Sequence, residues 1–128
     1  MIVVKFGGTS VGDADAIRRA ASIVASRRDR QPIVVVSAMA GVTNSLLALA
    51  EQSARGQLIG AIRACEGLRD RHMQQAELLL GDSPACTDVS EEMSAMIDEL
   101  AHLAEALHYR PRIAPIVDLL EPGAAEEE

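Results

Sequence analysis

Aromatic residues are nearly absent from this 128-residue chain: there is no tryptophan, and Phe6 and Tyr109 stand alone. Its core must be packed with Leu, Ile, Val, Met and Ala instead. Apolar runs are short. None approaches the roughly 20 residues of a membrane-spanning helix, and Ile2-Val3-Val4 is too brief for the core of a signal peptide. No membrane partner and a cytoplasmic location are therefore expected. Cysteine is limited to Cys65 and Cys86. Cys65 and His72 share a helical face, but metal ligation needs three or four converging groups, usually including a close pair such as Cys-x2-Cys. Both thiols are expected to be reduced and buried as small hydrophobes, with no metal bound. Positive charge is also short. The net charge is −7, and Glu126-Glu127-Glu128 supply three of the negatives. No basic footprint for nucleic acid exists. Arg27, Arg28 and Arg30 cluster, and read as a solvated helix end.

The scarcest charge is lysine. Lys5 is the only one, and every other cation is an arginine. It opens the run Lys5-Phe6-Gly7-Gly8-Thr9-Ser10-Val11-Gly12, directly after Ile2-Val3-Val4. A compact ammonium at the end of an apolar strand, facing a glycine-rich turn, suits a phosphoryl group. Glycines let backbone N–H groups approach an anion closely.

The length fits one domain, or part of one. Residues 2–6 read as a short buried strand. Asp13 can cap a helix over about 14–28, with Ile17, Ala20, Ala21 and Val24 on its apolar face. Gln31-Pro32 breaks the chain before a second strand, Ile33 to Val36. This order predicts an α/β fold with a βαβ start and two parallel strands. Unbroken apolar strands fit a parallel sheet covered on both faces.

Thr43 or Asn44 can cap a helix reaching about Arg55, and another follows over about 57–80. Asp88, with Glu91 at the capping-box position, marks a third over 88–107. Its stripe is Val89, Met93, Met96, Ile97, Leu100, Leu103, Ala104 and Leu107; Met93 and Met96 read as core or interface, and Glu91, Glu92 and Glu99 as cap and wet face. Segments 57–80 and 88–107 are expected to form an antiparallel helical hairpin. Pro111 ends the pattern. Residues 113–120 suit a third strand or a short helix, with Pro115 against a central strand. The tail from Pro122 reads as disordered.

Ligands of open parallel sheets bind beyond the carboxyl ends of the strands. Two loops sit there, 7–12 and 37–43. Both are rich in small residues and hydroxyls, and both precede a helix N-terminus, which favours phosphate or carboxylate. Thr9, Ser10, Ser37, Thr43 and Asn44 can hydrogen-bond a small polar substrate. The first loop is not a Walker A loop, because its lysine precedes the glycines instead of following them.

Lys5-Phe6-Gly7-Gly8-Thr9-Ser10-Val11-Gly12 resembles the opening signature of the aspartate kinases, in the amino acid kinase superfamily. Val34-Val35-Val36-Ser37-Ala38-Met39-Ala40-Gly41-Val42-Thr43-Asn44 is similar to that family's second motif. The helical insertion after Thr43 fits as well. The resemblance covers residues 1 to about 107. It implies MgATP-dependent phosphorylation of the side-chain carboxylate of L-aspartate, giving 4-phospho-L-aspartate. By resemblance, Lys5 is catalytic and neutralises the transferring phosphoryl group. Gly7, Gly8, Thr9, Ser10 and Ser37 would bind phosphate, and Ser37 and Thr43 the aspartate. ATP and magnesium enter only through this resemblance.

Residues 1–110 are thus expected to be the N-terminal part of an aspartate kinase-like catalytic domain, and 111–128 a divergent segment with an acidic tail. The family's catalytic domain is about twice this length. Its Gly-Glu motif and nucleotide-binding half have no counterpart here. The chain is expected to be incomplete and inactive alone, and to self-associate or bind a partner chain through its exposed half-sheet. Two other readings compete: a non-catalytic helical interaction or oligomerisation module, and a small anion- or amino-acid-binding domain.

Overall fold

The computed structural model describes residues 1–120, with side chains described through Tyr109. The expected tail from Pro122 lies outside the described residues. The chain runs β1 (Ile2–Phe6), α1 (Ala14–Ala25), β2 (Pro32–Val36), α2 (Val42–Ala54), α3 (Leu58–Leu80) and α4 (Pro84–Leu120). Short 3-10 turns at Gly8–Val11 and Arg28–Arg30 lead into and out of the α1 region. β1 and β2 pair in parallel, with Lys5 opposite Val35 and Phe6 opposite Val36. This is the expected α/β fold, a partial amino-acid-kinase-like sheet with a helical insertion.

Asp13 caps α1 as its position implies, its carboxylate accepting from the Ala16 N–H at 2.8 Å. The helix stops earlier than expected, at Ala25 rather than near Arg28. There the Ser26 hydroxyl turns back to the Ile23 carbonyl at 2.8 Å, and Gln31 takes a left-handed φ of 50°. That reversal turns the chain from the helix into β2. Phe6, Val11 and Ala20 are buried together, with Val4, Ile17 and Val24 against them. α1 therefore covers one face of the sheet. The opposite face is not covered as expected: Val3 is 67% exposed, and Ile33 and Val35 lie open beside it. Even Val36, on the α1 side, is 61% exposed. Two strands are too narrow for one helix to shield both.

The second core is helical. Val42, Leu49, Ala61, Cys65, Leu68, Ile97 and Ala104 form it, with Met39 and Leu100 packed alongside. α3 and α4 make the expected antiparallel hairpin. Arg69 bridges them, with Nη2 2.6 Å from Asp98 and Nε 3.3 Å from Glu66 on its own helix. The two cysteines are buried and unpaired, as expected of small hydrophobes. Burial, reinforced by the charge of Glu66, pushes the Cys65 thiol above its ordinary pKa, and Arg69 opposes the shift.

Three further helix boundaries differ from expectation. α2 starts at Val42, so Thr43 and Asn44 lie inside its first turn and neither is the cap. Gly41 occupies that position at φ 82°, a left-handed conformation that costs a glycine little. α4 starts at Pro84, not at Asp88. Ser83 is the cap, its Oγ accepting from the Cys86 N–H at 3.2 Å, and Pro84 takes the first helical position, where a missing N–H costs nothing. Asp88 and Glu91 lie within the helix. At its far end α4 continues through Pro111 and Pro115 to Leu120, so 113–120 is helix and not strand. The missed signal was Ile113, Ile116, Val117 and Leu120, spaced i, i+3, i+4, i+7.

Ser83→Ala should cost about 1 kcal/mol in urea unfolding, whereas Asp88→Ala should cost nothing comparable. The folded state prefers the neutral Cys65 thiol. Its stabilisation is full below the ordinary thiol pKa and declines as pH rises from there toward the raised folded value. Cys65→Ala should flatten that alkaline decline in Tm.

Candidate functional site

β1 and β2 end side by side, and the chain leaves both through small residues. The Ser37 N–H donates to the Phe6 carbonyl at 3.0 Å and extends the ladder by one bond. Strand alternation buries Phe6 beneath α1 and sends Lys5 to the open face. Lys5 makes no ion pair among the described residues. Gly7 is extended, the Ser10 N–H closes a turn onto the Gly7 carbonyl at 3.0 Å, and buried Val11 anchors that turn.

The two loops touch backbone to backbone. A Cβ on Gly8 would stand 3.3 Å from the Ala38 carbonyl oxygen and 3.7 Å from the Ala40 Cα. One on Gly12 would stand 3.5 Å from the Ala40 Cβ. Only small residues on both sides permit this approach. The segment 37–41 is fixed below by Met39, which packs into the helical core, and by the bond from the Val42 N–H to the Met39 carbonyl at 3.0 Å.

α3 clasps the assembly with two polar side chains one helical turn apart. Arg71 Nη2 donates to the Gly12 carbonyl at 3.3 Å, and its Nη1 lies 3.8 Å from the position a Gly41 Cβ would take. Gln75 Oε1 accepts from the Ala14 N–H at 2.7 Å. Further along, Arg18 of α1 donates to the Leu78 carbonyl. Neither Arg71 nor Gln75 was among the expected site residues. Their only signal was a polar pair at i, i+4, which any helix surface shows.

Structure also separates the two helix N-termini that looked alike. Two first-turn N–H groups of α1 are already taken by side chains, that of Ala16 by Asp13 and that of Ala14 by Gln75. No side chain caps α2, so the N–H groups of Thr43 and Asn44 stay open at its positive end. Of the two helices, α2 is the one free to receive an anion. The structure brings loop 7–12 against loop 37–43, and Lys5, Thr9, Ser10, Ser37 and Thr43 are all exposed around that contact. A cavity of about 760 Å³ lies elsewhere, between α3 and α4, lined by Arg69, Cys86 and Ser90 among others. Among the described residues, no three His, Cys, Asp or Glu side chains are grouped to hold a metal. No described helix is long and apolar enough to cross a membrane.

A parallel βαβ start brings its two strand-end loops together beside a helix N-terminus that no side chain caps, an arrangement able to receive an anion. The family model described as "Amino acid kinase family" matches residues 1–112, and the chain belongs to that family. Lysine-sensitive aspartokinase 3 of Escherichia coli (strain K12) is 40% identical over 106 residues, 83% of this chain and 22% of the relative. An aspartokinase of Rickettsia felis is 50% identical over 54 residues, 41% of this chain and 14% of the relative. The chloroplastic aspartokinase 3 of Arabidopsis thaliana is 29% identical over 105 residues, 80% of this chain and 19% of the relative. The chain thus spans about a fifth of the length of the first and third of these.

Arg71→Ala and Gln75→Ala should each cost about 1 kcal/mol of stability and speed amide exchange across residues 8–16, with α4 unaffected. Gly8→Ala should destabilise measurably, because the opposing atoms are backbone. Gly7→Ala should not, because nothing lies within 4 Å of a Cβ there.

Proposed function

We propose that this chain is the phosphoryl- and substrate-loop portion of an aspartate kinase, which transfers the γ-phosphoryl group of ATP to the side-chain carboxylate of L-aspartate. A carboxylate oxygen attacks the γ-phosphorus, the bond to the β,γ-bridging oxygen breaks, and ADP leaves with the electron pair. The observation that carries this reading is the contact of the two loops beside Lys5, which has no ion pair among the described residues, and the start of α2 that no side chain caps.

In this reading Lys5 is catalytic. Its ammonium neutralises charge on the transferring group while the Gly7 and Gly8 N–H groups, Thr9 and Ser10 hold the phosphate. Such a reaction needs positioning and electrostatic stabilisation more than covalent help. Ser37 lies between the phosphate and the aspartate, and Thr43 binds the aspartate. The open N–H groups of Thr43 and Asn44 suit a substrate carboxylate. Arg71 keeps the two loops in register. Magnesium would come with the nucleotide. The nucleotide itself would be held by residues outside this chain, so the chain alone is inactive and the open sheet takes a second copy or a partner chain. A cytoplasmic location accords with this reading.

With MgATP, L-aspartate and hydroxylamine, the purified chain should form no aspartyl hydroxamate. Substituted for the matching segment of the E. coli relative, it should support turnover, and Lys5→Ala in that chimera should lower kcat at least about a hundredfold. An active Lys5→Ala chimera would overturn the role of Lys5. Lysine-dependent hydroxamate from the chain alone would overturn its inactivity.

A further inference from the structure

α4 carries three bands along its length. The first is buried: Ile97 and Ala104 face the helical core, and Cys86 is closed off a few turns below. About a quarter-turn around the helix lies the second band, Val89, Met96 and Leu103, one heptad apart. It is apolar and open, with Met96 59% and Leu103 62% exposed. Half-buried Met93 and Leu100, with exposed Leu107, fill the alternate positions. Apolar residues therefore recur at spacings of four and three from Val89 to Leu107, the pattern of a helix-pairing seam. At 1.5 Å per residue the seam is about 27 Å long. Its lower end enters an apolar groove of about 510 Å³, where Val89 and Met93 meet Ile17, Ala21, Leu79 and Leu80.

The third band is acidic and borders the seam. Glu92 and Glu99 lie at i−4 and i+3 from Met96, and Asp88 one turn below Glu92. Between Pro84 and Tyr109 the chain has six acidic residues and no lysine or arginine. Of these six only Asp98 is ion-paired among the described residues, to Arg69 on the side facing α3.

Charge selects the occupant. A second copy laid antiparallel on the seam, Met96 on Met96, would set Glu92 of one copy beside Glu99 of the other, twice. Residues 121–128 end in three glutamates and meet the same repulsion. We propose that the exposed stripe of α4 docks an amphipathic helix of a partner protein, one whose apolar seam is flanked by lysine or arginine. Its apolar residues would cover Val89, Met96 and Leu103 while its cations face Asp88, Glu92 and Glu99. This inference is independent of the kinase reading, because it uses no residue of the two loops.

The test uses the full chain and a synthetic three-heptad peptide with leucine at the seam and lysine at the flanks, beside a twin with glutamate at the flanks. Fluorescence anisotropy should show the lysine peptide binding at least about tenfold more tightly than its twin, with affinity falling as salt rises. Met96→Ser with Leu103→Ser should abolish binding. Both side chains are exposed, so the circular dichroism of that variant should match the parent. Glu92→Gln with Glu99→Gln should weaken binding about tenfold without touching the seam. Equal binding of the two peptides would overturn the proposal. So would undiminished binding to the serine variant, which would mean unspecific attraction between polyelectrolytes. Sedimentation showing a dimer of the chain that Met96→Ser dissociates would assign the stripe to a second copy instead.

Discussion

The approach of Gly8 to Ala38 and Ala40 is the constraint on which the rest of the structure depends. Two loops leave neighbouring strands and meet with no side chain between them. Backbone against backbone leaves no slack, so a small shift in either loop is passed to the other. Glycine and alanine at both loops make the approach possible, and the Phe6–Ser37 hydrogen bond sets its register. Lys5 and Ser37 are brought to one edge of the sheet by that register.

Two small cores flank this contact and do not merge. One, under α1, is built on Phe6, Val11 and Ala20; the other fills the bundle of α2, α3 and α4. Besides the apolar groove between α1 and the hairpin, three polar side chains link them. Arg71, Gln75 and Arg18 tie α3 to the first loop and to α1 through backbone groups. Polar ties to backbone atoms hold position with little area, which suits a junction where small residues leave little to bury. The same ties explain why the two helix N-termini differ. α1 gives its Ala14 N–H to Gln75 and its Ala16 N–H to Asp13, and α2, with no side-chain cap, keeps its own.

Charge is divided as sharply as packing. Arginines occupy α1 and the inner side of α3, where several bond backbone carbonyls or carboxylates. α4 is acidic through its described side chains. Its apolar residues cover more of its circumference than the core uses, so an apolar band lies between the buried face and the acids. The sheet leaves a comparable surplus. β2 is apolar at every position, yet α1 reaches only part of one face. Apolar surface of this extent on a small domain marks places where other protein surface packs.

Much of the fold was legible in the sequence because its signals are local. Unbroken Ile-Val runs beside glycine or proline mark buried strands. The carboxylate of Asp13 marks a helix start, and apolar spacing marks the hairpin. Both loops were legible for the same reason, since a lysine, glycines and hydroxyls at a strand end carry their chemistry in order along the chain. The failures were places where two local signals competed. Asp88 was read as the start of α4, but Ser83 caps it instead, because Pro84 needs no hydrogen-bond partner at the first helical position. Pro111 suggested an end, but the apolar spacing beyond it continued the helix. By itself, then, the sequence determined the strands, the helices and the residue types at the two strand ends, because each depends on neighbours a few positions away. Only the tertiary structure decided that Arg71 and Gln75 hold the loops, that Gln75 takes a further N–H of α1 while the start of α2 stays open, and that one band of α4 is left uncovered. Those depend on contacts between residues some sixty positions apart, or on which elements happen to face one another, and no local pattern encodes them.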